Sequence, residues 1–314
     1  MDNRLLALRQ KLRDQKLNGF LIPHSDEHQS EYTPSYAERL EWLTGFKGSA
    51  GEALVTLDRA AIFVDGRYTL QVRDQVNLKK FTPLKFNIDP IEDWLFDNLI
   101  EGDVVGYDPW LHSKVWLAKV AKKLAVKNIS LKALENNIID EIWNDQPEPS
   151  KALAQLHKNR YSGETSLNKR KRIAALLKSK GANALVLTAL DSIAWLFNIR
   201  GSDVNCTPLV LSFAILYDNA KADLFIDSDK IDDEVKKHLG SHVNLFSKND
   251  FVAGLGKLGT SNKCVMVDPK KSHAAIFEAL ENADAKIIEA DDPIQLDKAC
   301  KNDIELTGII HLYN

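Results

Sequence analysis

Little in this chain of 314 residues marks it for a special environment. It has only three cysteines, Cys206, Cys264 and Cys300, and they lie far apart. They make neither a disulfide framework nor a metal-ligand spacing, and their scarcity points to a reducing compartment. No apolar run approaches the roughly 18 residues needed to span a bilayer; the longest, Leu209 to Tyr217, is far shorter. Met1 to Asn18 is too charged for a signal peptide. Neither sign of charge dominates: 41 Lys and Arg face 44 Asp and Glu, a net charge of −3. That balance gives no electrostatic case for nucleic acid or an anionic membrane. Neither G-x-S-x-G nor H-E-x-x-H occurs, and no cysteine sits in a recognisable nucleophile context. The expectation is a cytoplasmic protein with neither nucleic acid nor membrane as a partner.

Apolar residues make up 44% of the chain and charged residues 27%, the balance of a soluble globular protein. The length allows two cores of ordinary size. The chain also repeats itself. Trp42-Leu43-Thr44-Gly45-Phe46-Lys47-Gly48-Ser49 returns as Trp195-Leu196-Phe197-Asn198-Ile199-Arg200-Gly201-Ser202, 153 residues later (195 − 42). Solenoid repeats run roughly 20–50 residues; this period matches a whole domain. The flanks agree. Leu5, Leu8 and Leu12 have helical spacing, Gly19 ends that helix, and Phe20-Leu21-Ile22 reads as a buried strand. In the second half Ile173, Leu176 and Leu177 are followed by Gly181 and the strand Ala184-Leu185-Val186-Leu187. Further strands follow each copy: Ala53 to Thr56 and Ala61 to Val64 in the first half, Leu209 to Leu216 and Ala222 to Ile226 in the second.

Residues 23–41 lack periodicity and read as an ordered polar loop. Helices are expected over Tyr68 to Val76, over Ile91 to Leu99 with Trp94 and Leu95 inward, and from Lys114 to Leu124 behind Ser113 as N-cap. Val104 to Tyr107 and Leu131 to Leu134 read as strands, and Ile138 to Trp143 as a short helix. The second half continues with a helix over Asp232 to Leu239, strands at Val243 to Phe246 and Cys264 to Asp268, a helix from Ser272 to Asn282 capped by Ser272, and a closing strand at Ile287-Ile288. The Pro- and Gly-containing stretch 144–168 is the best linker. The division is therefore 1–157, 158–296, and a terminal segment 297–314. From Pro293 onward Leu296, Ala299, Ile304 and Ile309 are spaced along a helix whose partner is not in the sequence, as at a chain cut near a domain border.

Four polar motifs carry candidate chemistry. Gly254-Leu255-Gly256-Lys257-Leu258-Gly259 matches G-x-G-x-x-G. A helix-like segment precedes it, however, and a strand follows, the reverse of the nucleotide-binding order. His24-Ser25-Asp26-Glu27-His28 holds two His and two acids, but all within one loop, which suits a hydrogen-bonded turn better than a metal site. Asp227-Ser228-Asp229 and Asp291-Asp292 follow apolar strands, where acids commonly cap helices. Asp65-Gly66-Arg67-Tyr68 ends a strand, the place where α/β proteins present functional groups. Arg67 there reads either as a substrate contact, in a turn that Gly66 allows to be tight, or as half of a local ion pair.

These residues carry a family resemblance. Tyr36 to Tyr68, through Trp42 to Gly51 and Val64-Asp65-Gly66-Arg67-Tyr68, resembles the first N-terminal domain of Xaa-Pro aminopeptidases (aminopeptidase P). Thr188 to Asp203 resembles the second such domain of the three-domain long form. Ile142-Trp143-Asn144-Asp145-Gln146-Pro147 resembles the linker between these domains, and Ala299 to Glu305 the run that opens the third. The resemblance implies two tandem α/β domains of the creatinase N-terminal type, each a mixed β-sheet flanked by helices. It implies a parent metallopeptidase that removes an N-terminal residue preceding proline, with a peptide substrate and a second copy in a homodimer as partners. Two divalent metal ions, Mn or Zn, would be held by a pita-bread catalytic domain whose two Asp, one His and two Glu have no matching positions here. This chain would then have no catalytic residue, metal or cofactor of its own, with Arg67 as its one substrate contact. The other reading is a free-standing binding or scaffolding module.

Overall fold

The computed structural model describes residues Asp2 to Tyr313. Met1 and Asn314, the ends of the charged N-terminal stretch and of the terminal segment, lie outside the described residues. The chain forms two compact units, one of residues 1–26 and 31–148, the other of residues 27–30 and 149–314.

The first unit runs α1 (Asp2–Asp14), β1 (Gly19–Pro23), α2 (Arg39–Thr44), β2 (Gly51–Thr56), β3 (Ala60–Val64), α3 (Gln71–Gln75), β4 (Thr82–Lys85), α4 (Ile91–Asn98), β5 (Val104–Tyr107), α5 (Lys114–Ala125), β6 (Ser130–Ala133) and α6 (Ile138–Ile142). Its sheet has the order β4-β3-β2-β1-β5-β6. The β1–β2 and β2–β3 pairs are antiparallel, and the outer pairs are parallel. Side chains alternate across a strand, so β1 feeds both faces. Phe20 and Ile22 join Leu5, Leu8 and Leu12 of α1 and Ile138 and Ile139 of α6 in one apolar cluster. Helices α4 and α5 pack together; on the other face of β3, Phe63 meets the ring of Trp94 edge-on.

The second unit runs β7 (Gln155–Leu156), α7 (Asn159–Ser162), α8 (Ser166–Ser179), β8 (Ala184–Leu187), α9 (Leu190–Phe197), β9 (Ile199–Arg200), β10 (Phe213–Tyr217), β11 (Ala222–Phe225), α10 (Asp233–Leu239), β12 (Val243–Phe246), α11 (Phe251–Thr260), β13 (Cys264–Val267), α12 (Ala274–Asn282), β14 (Lys286–Glu289), α13 (Ile294–Ala299) and α14 (Asp303–Tyr313). Strands β7 and β9 form a small pair. The main sheet, β12-β11-β10-β8-β13-β14, repeats the first sheet's order and strand directions. The expected duplication and the mixed sheets flanked by helices are therefore present.

The repeat extends to single residues. Trp42 on α2 and Trp195 on α9 are both buried, each on the helix after its unit's first central strand. Each helix ends in left-handed backbone, at Gly45 (φ 84°) and Asn198 (φ 52°), residues 153 apart. Gly and Asn are the residues that enter this conformation most readily. The interval from Gly19 to Ala184, which open β1 and β8, is instead 165 residues. The difference lies in the connections: residues 24–38 separate β1 from α2, whereas only Thr188 and Ala189 separate β8 from α9.

Several local expectations need correction. Helix α1 is turned by Lys16 at φ 57°, and Gly19 already belongs to β1; in the second unit Gly181 (φ 71°) makes the turn. The stretch 23–41 contains a 3₁₀ turn at Ser35–Ala37 and the start of α2. Trp94 is only half-buried. Residues 209–212 precede the strand instead of joining it, because they bond back to Asp203: the Leu209 oxygen accepts its N–H, and the Leu211 N–H donates to its Oδ2. Ser272 is not the cap of α12: His273 holds that position, without a side-chain cap bond. The C-terminal segment is two helices, α13 and α14, with Leu296, Ile304 and Ile310 exposed.

Candidate functional site

The turn after β3 is built by its own acid. Asp65 Oδ1 accepts the Arg67 main-chain N–H at 2.8 Å, and Oδ2 accepts Arg67 Nε at 2.9 Å and Nη2 at 2.6 Å. These bonds hold the Asp65 carboxyl below the usual carboxylate range and push the Arg67 guanidinium up. The Arg67 side chain remains 63% exposed, its guanidinium 5.1 Å from the Tyr68 ring centroid. Tyr68 shares a 2.8 Å hydrogen bond with Ser49 and meets Phe46 edge-on, so the turn is joined to the repeated Gly-Ser motif. Gly66 has ordinary backbone and open space around its Cα; the tightness comes from Asp65, not from glycine. The geometry gives a fixed, outward-facing cation able to accept a second carboxylate.

A second polar pair in the same unit was not legible in the sequence. Glu52 on β2 and His112, just past β5, are both buried, with Oε1 and Nε2 3.5 Å apart. Neither atom has a hydrogen-bond partner among the described residues. His112 Nδ1 faces the Asp108 carbonyl oxygen at 3.0 Å, and its ring stacks on Trp116. Sixty residues separate the two along the chain, and no local pattern joins them.

The other motifs separate. His24 belongs to the first unit, with Nε2 3.2 Å from the Glu31 carbonyl oxygen, and His28 to the second, with Nδ1 3.2 Å from that of Thr188. Asp292 stands one residue before the Pro293 cap of α13, accepts the Ile294 N–H and also accepts from Ser192 Oγ at 2.5 Å. Burial pushes its carboxyl up. The G-x-G-x-x-G run lies wholly inside α11. There Gly254 faces the Phe225 ring, and a Cβ on Gly259 would stand 1.9 Å from the Ala283 carbonyl oxygen. Close helix packing, not a phosphate, explains these glycines. Among the described residues no three His, Cys, Asp or Glu side chains are grouped to hold a metal ion, so the donors present do not fit one, and no chemical step through a metal follows from them.

The family profile described as Creatinase/Prolidase N-terminal domain matches residues 4–142, and a second profile of the same description matches residues 145–305, about half of the chain. The chain belongs to the creatinase/prolidase N-terminal domain family. Its two units are thus two such creatinase/prolidase domains in tandem. The chain is 32% identical to a probable Xaa-Pro aminopeptidase P of Aspergillus niger, over 98% of its own length and 51% of the relative's. It is 33% identical to aminopeptidase P1 of Arabidopsis thaliana, over 93% of this chain and 49% of that protein. The structure of X-prolyl aminopeptidase from Caenorhabditis elegans, described as a cytosolic enzyme with a di-nuclear active site, matches with a TM-score of 0.91 at 28% identity. That match covers 98% of this chain and 52% of the other. The creatinase/prolidase pair described here therefore spans about half the length of the relatives it matches.

Proposed function

We propose that this chain serves as the non-catalytic N-terminal region of a metal-dependent Xaa-Pro aminopeptidase, which removes an N-terminal residue preceding proline. The observation that carries the reading is the likeness over 98% of this chain to a solved X-prolyl aminopeptidase. In this role the two domains shape access of the peptide to a catalytic centre outside these residues, where two divalent ions, Mn or Zn, activate water. The first domain supports homodimer formation, and Arg67 contacts the peptide through its exposed guanidinium. The enzyme works in the cytoplasm.

The test is hydrolysis of an Xaa-Pro peptide with added Mn²⁺ or Zn²⁺. The 314-residue chain alone should give no turnover above background. A polypeptide that joins it to a catalytic half of the kind its relatives carry should cleave, and should lose that activity when the first domain is deleted. Turnover by the purified 314-residue chain, surviving controls for contaminants, overturns the non-catalytic role.

A further inference from the structure

Strand β12 is one edge of the second sheet, and β4 is its counterpart in the first. The registers match: Leu245 lies opposite Leu224, and Pro83 opposite Ile62. In the second sheet the ladder uses alternate residues of β12, since Ala222 N–H donates to the His242 oxygen and Ile226 N–H to the Phe246 oxygen. Position 245 therefore turns its main-chain groups away from the sheet, as position 83 does in the first. Proline has no N–H to offer there, and Lys85 follows it; both residues blunt an edge against strand addition. In the second unit the same place holds Leu245, whose N–H and C=O have no partner among the described residues. β12, Val-Asn-Leu-Phe, contains neither proline nor lysine.

Beside this edge lies an open groove of roughly 950 Å³ between β12 and α10. Ile231, Leu239 and Leu245 give it an apolar lining. Lys236 and Lys237 stand on its rim, exposed and without an ion pair to a described residue, against the single acid Asp233. An unblunted edge, an apolar slot and a net positive rim are the parts used in recognition by strand addition, where main-chain bonds give affinity and alternate side chains give selectivity. We propose that β12 and this groove form a docking site for an extended acidic peptide. The peptide adds as a further strand, places an apolar side chain in the groove, and sets a carboxylate beside Lys236 and Lys237. This inference does not depend on the peptidase reading, because binding alone tests it.

The probe is a fluorescein-labelled hexapeptide, Ser-Val-Thr-Glu-Thr-Val, which puts valine and glutamate on one face, titrated into the 314-residue chain with anisotropy as the readout. Saturable binding is expected, weakened roughly tenfold by L245P, which copies the blunted first-unit edge, and by the pair K236E and K237E, with a loss on raising salt. A peptide with Lys in place of Glu should bind more weakly. If circular dichroism shows that L245P does not fold, the exposed lysine pair and a peptide N-methylated at its pairing amides decide the matter; N-methylation should abolish binding. No saturable binding, or binding indifferent to both the lysine pair and N-methylation, overturns the proposal. Sedimentation showing a dimer that L245P converts to monomer, with no peptide binding, overturns it too and assigns the edge to a second copy of the chain.

Discussion

Lys169 is bonded to the tryptophan whose ring it covers: its Nζ lies 4.2 Å from the Trp195 ring centroid and donates to the Trp195 carbonyl oxygen at 3.1 Å. It also donates to Asn198 Oδ1 at 2.8 Å, so one buried ammonium ties down the helix end that carries the repeated motif. Arg4 does the same in the first unit, lying 4.6 Å from the Trp42 ring centroid and donating to the Trp42 carbonyl oxygen. The two cations are 165 residues apart, the same interval that separates β1 from β8.

Burial pulls the Lys169 ammonium down to about 8, whereas a lysine in an unfolded chain titrates near roughly 10.4. Between these values the unfolded chain binds more protons, so this group makes stability rise with pH across that window. Unfolding free energies from urea titrations at pH 8 to 10 should climb in the native chain relative to Lys169→Met, by at most about 1.4 kcal/mol per pH unit. A difference between the two proteins that stays flat over that range would show the site does not titrate there.

Arg67→Ala separates a substrate contact from a turn brace. The Asp65–Arg67 pair is solvent-exposed, and water screens such pairs so that they contribute little to stability. In an active enzyme containing this region, the substitution should lower kcat/KM by about tenfold, equivalent to about 1.4 kcal/mol, with the melting temperature nearly unchanged. Unaltered kinetics in a folded Arg67→Ala enzyme would leave Arg67 as a brace alone.

The glycines of α11 should respond in opposite directions. Gly259→Ala forces a Cβ into the Ala283 main chain and should destabilise by several kcal/mol, on the order of 1–3 or more, as overpacking does. Gly256→Ala meets open space inside the same helix and should stabilise by about 0.5–1 kcal/mol. Paired chemical denaturation curves check this, and equal effects of the two substitutions would refute the packing account.

Ser192→Ala removes a donor from the buried Asp292 carboxylate, which Gln295 and the Ile294 N–H also contact. Asp292 is already held above the usual carboxylate range by burial, so in the interval just above its ordinary value the folded chain keeps a proton that the unfolded chain has released, and stability falls as pH rises through it. Losing the Ser192 bond should extend that interval. The substitution should cost about 1–3 kcal/mol at pH 7 and distinctly less near pH 4; a cost independent of pH would remove the Asp292 carboxylate as its cause.

The sequence by itself determined what local pattern can encode. Leu5, Leu8 and Leu12 specify one buried helical face because 3.6-residue periodicity is a property of consecutive residues. Alternation or continuous apolarity marks β1, β2, β3 and β8 for the same reason, and the second Trp-Leu motif disclosed the duplication. Only the tertiary structure decided what depends on residues far apart. Strand β4 escaped notice because Pro83 argues against a strand until its position at an open edge is known. The glycine run of α11 matched a phosphate-binding spacing in the wrong order of elements, and only the approach of Ala283 reveals why glycine is required there. Glu52 and His112 meet because β2 and β5 lie two strands apart with β1 between them, a fact of sheet order. Leu245 is an ordinary strand residue in the sequence; sheet order and register turn its N–H outward.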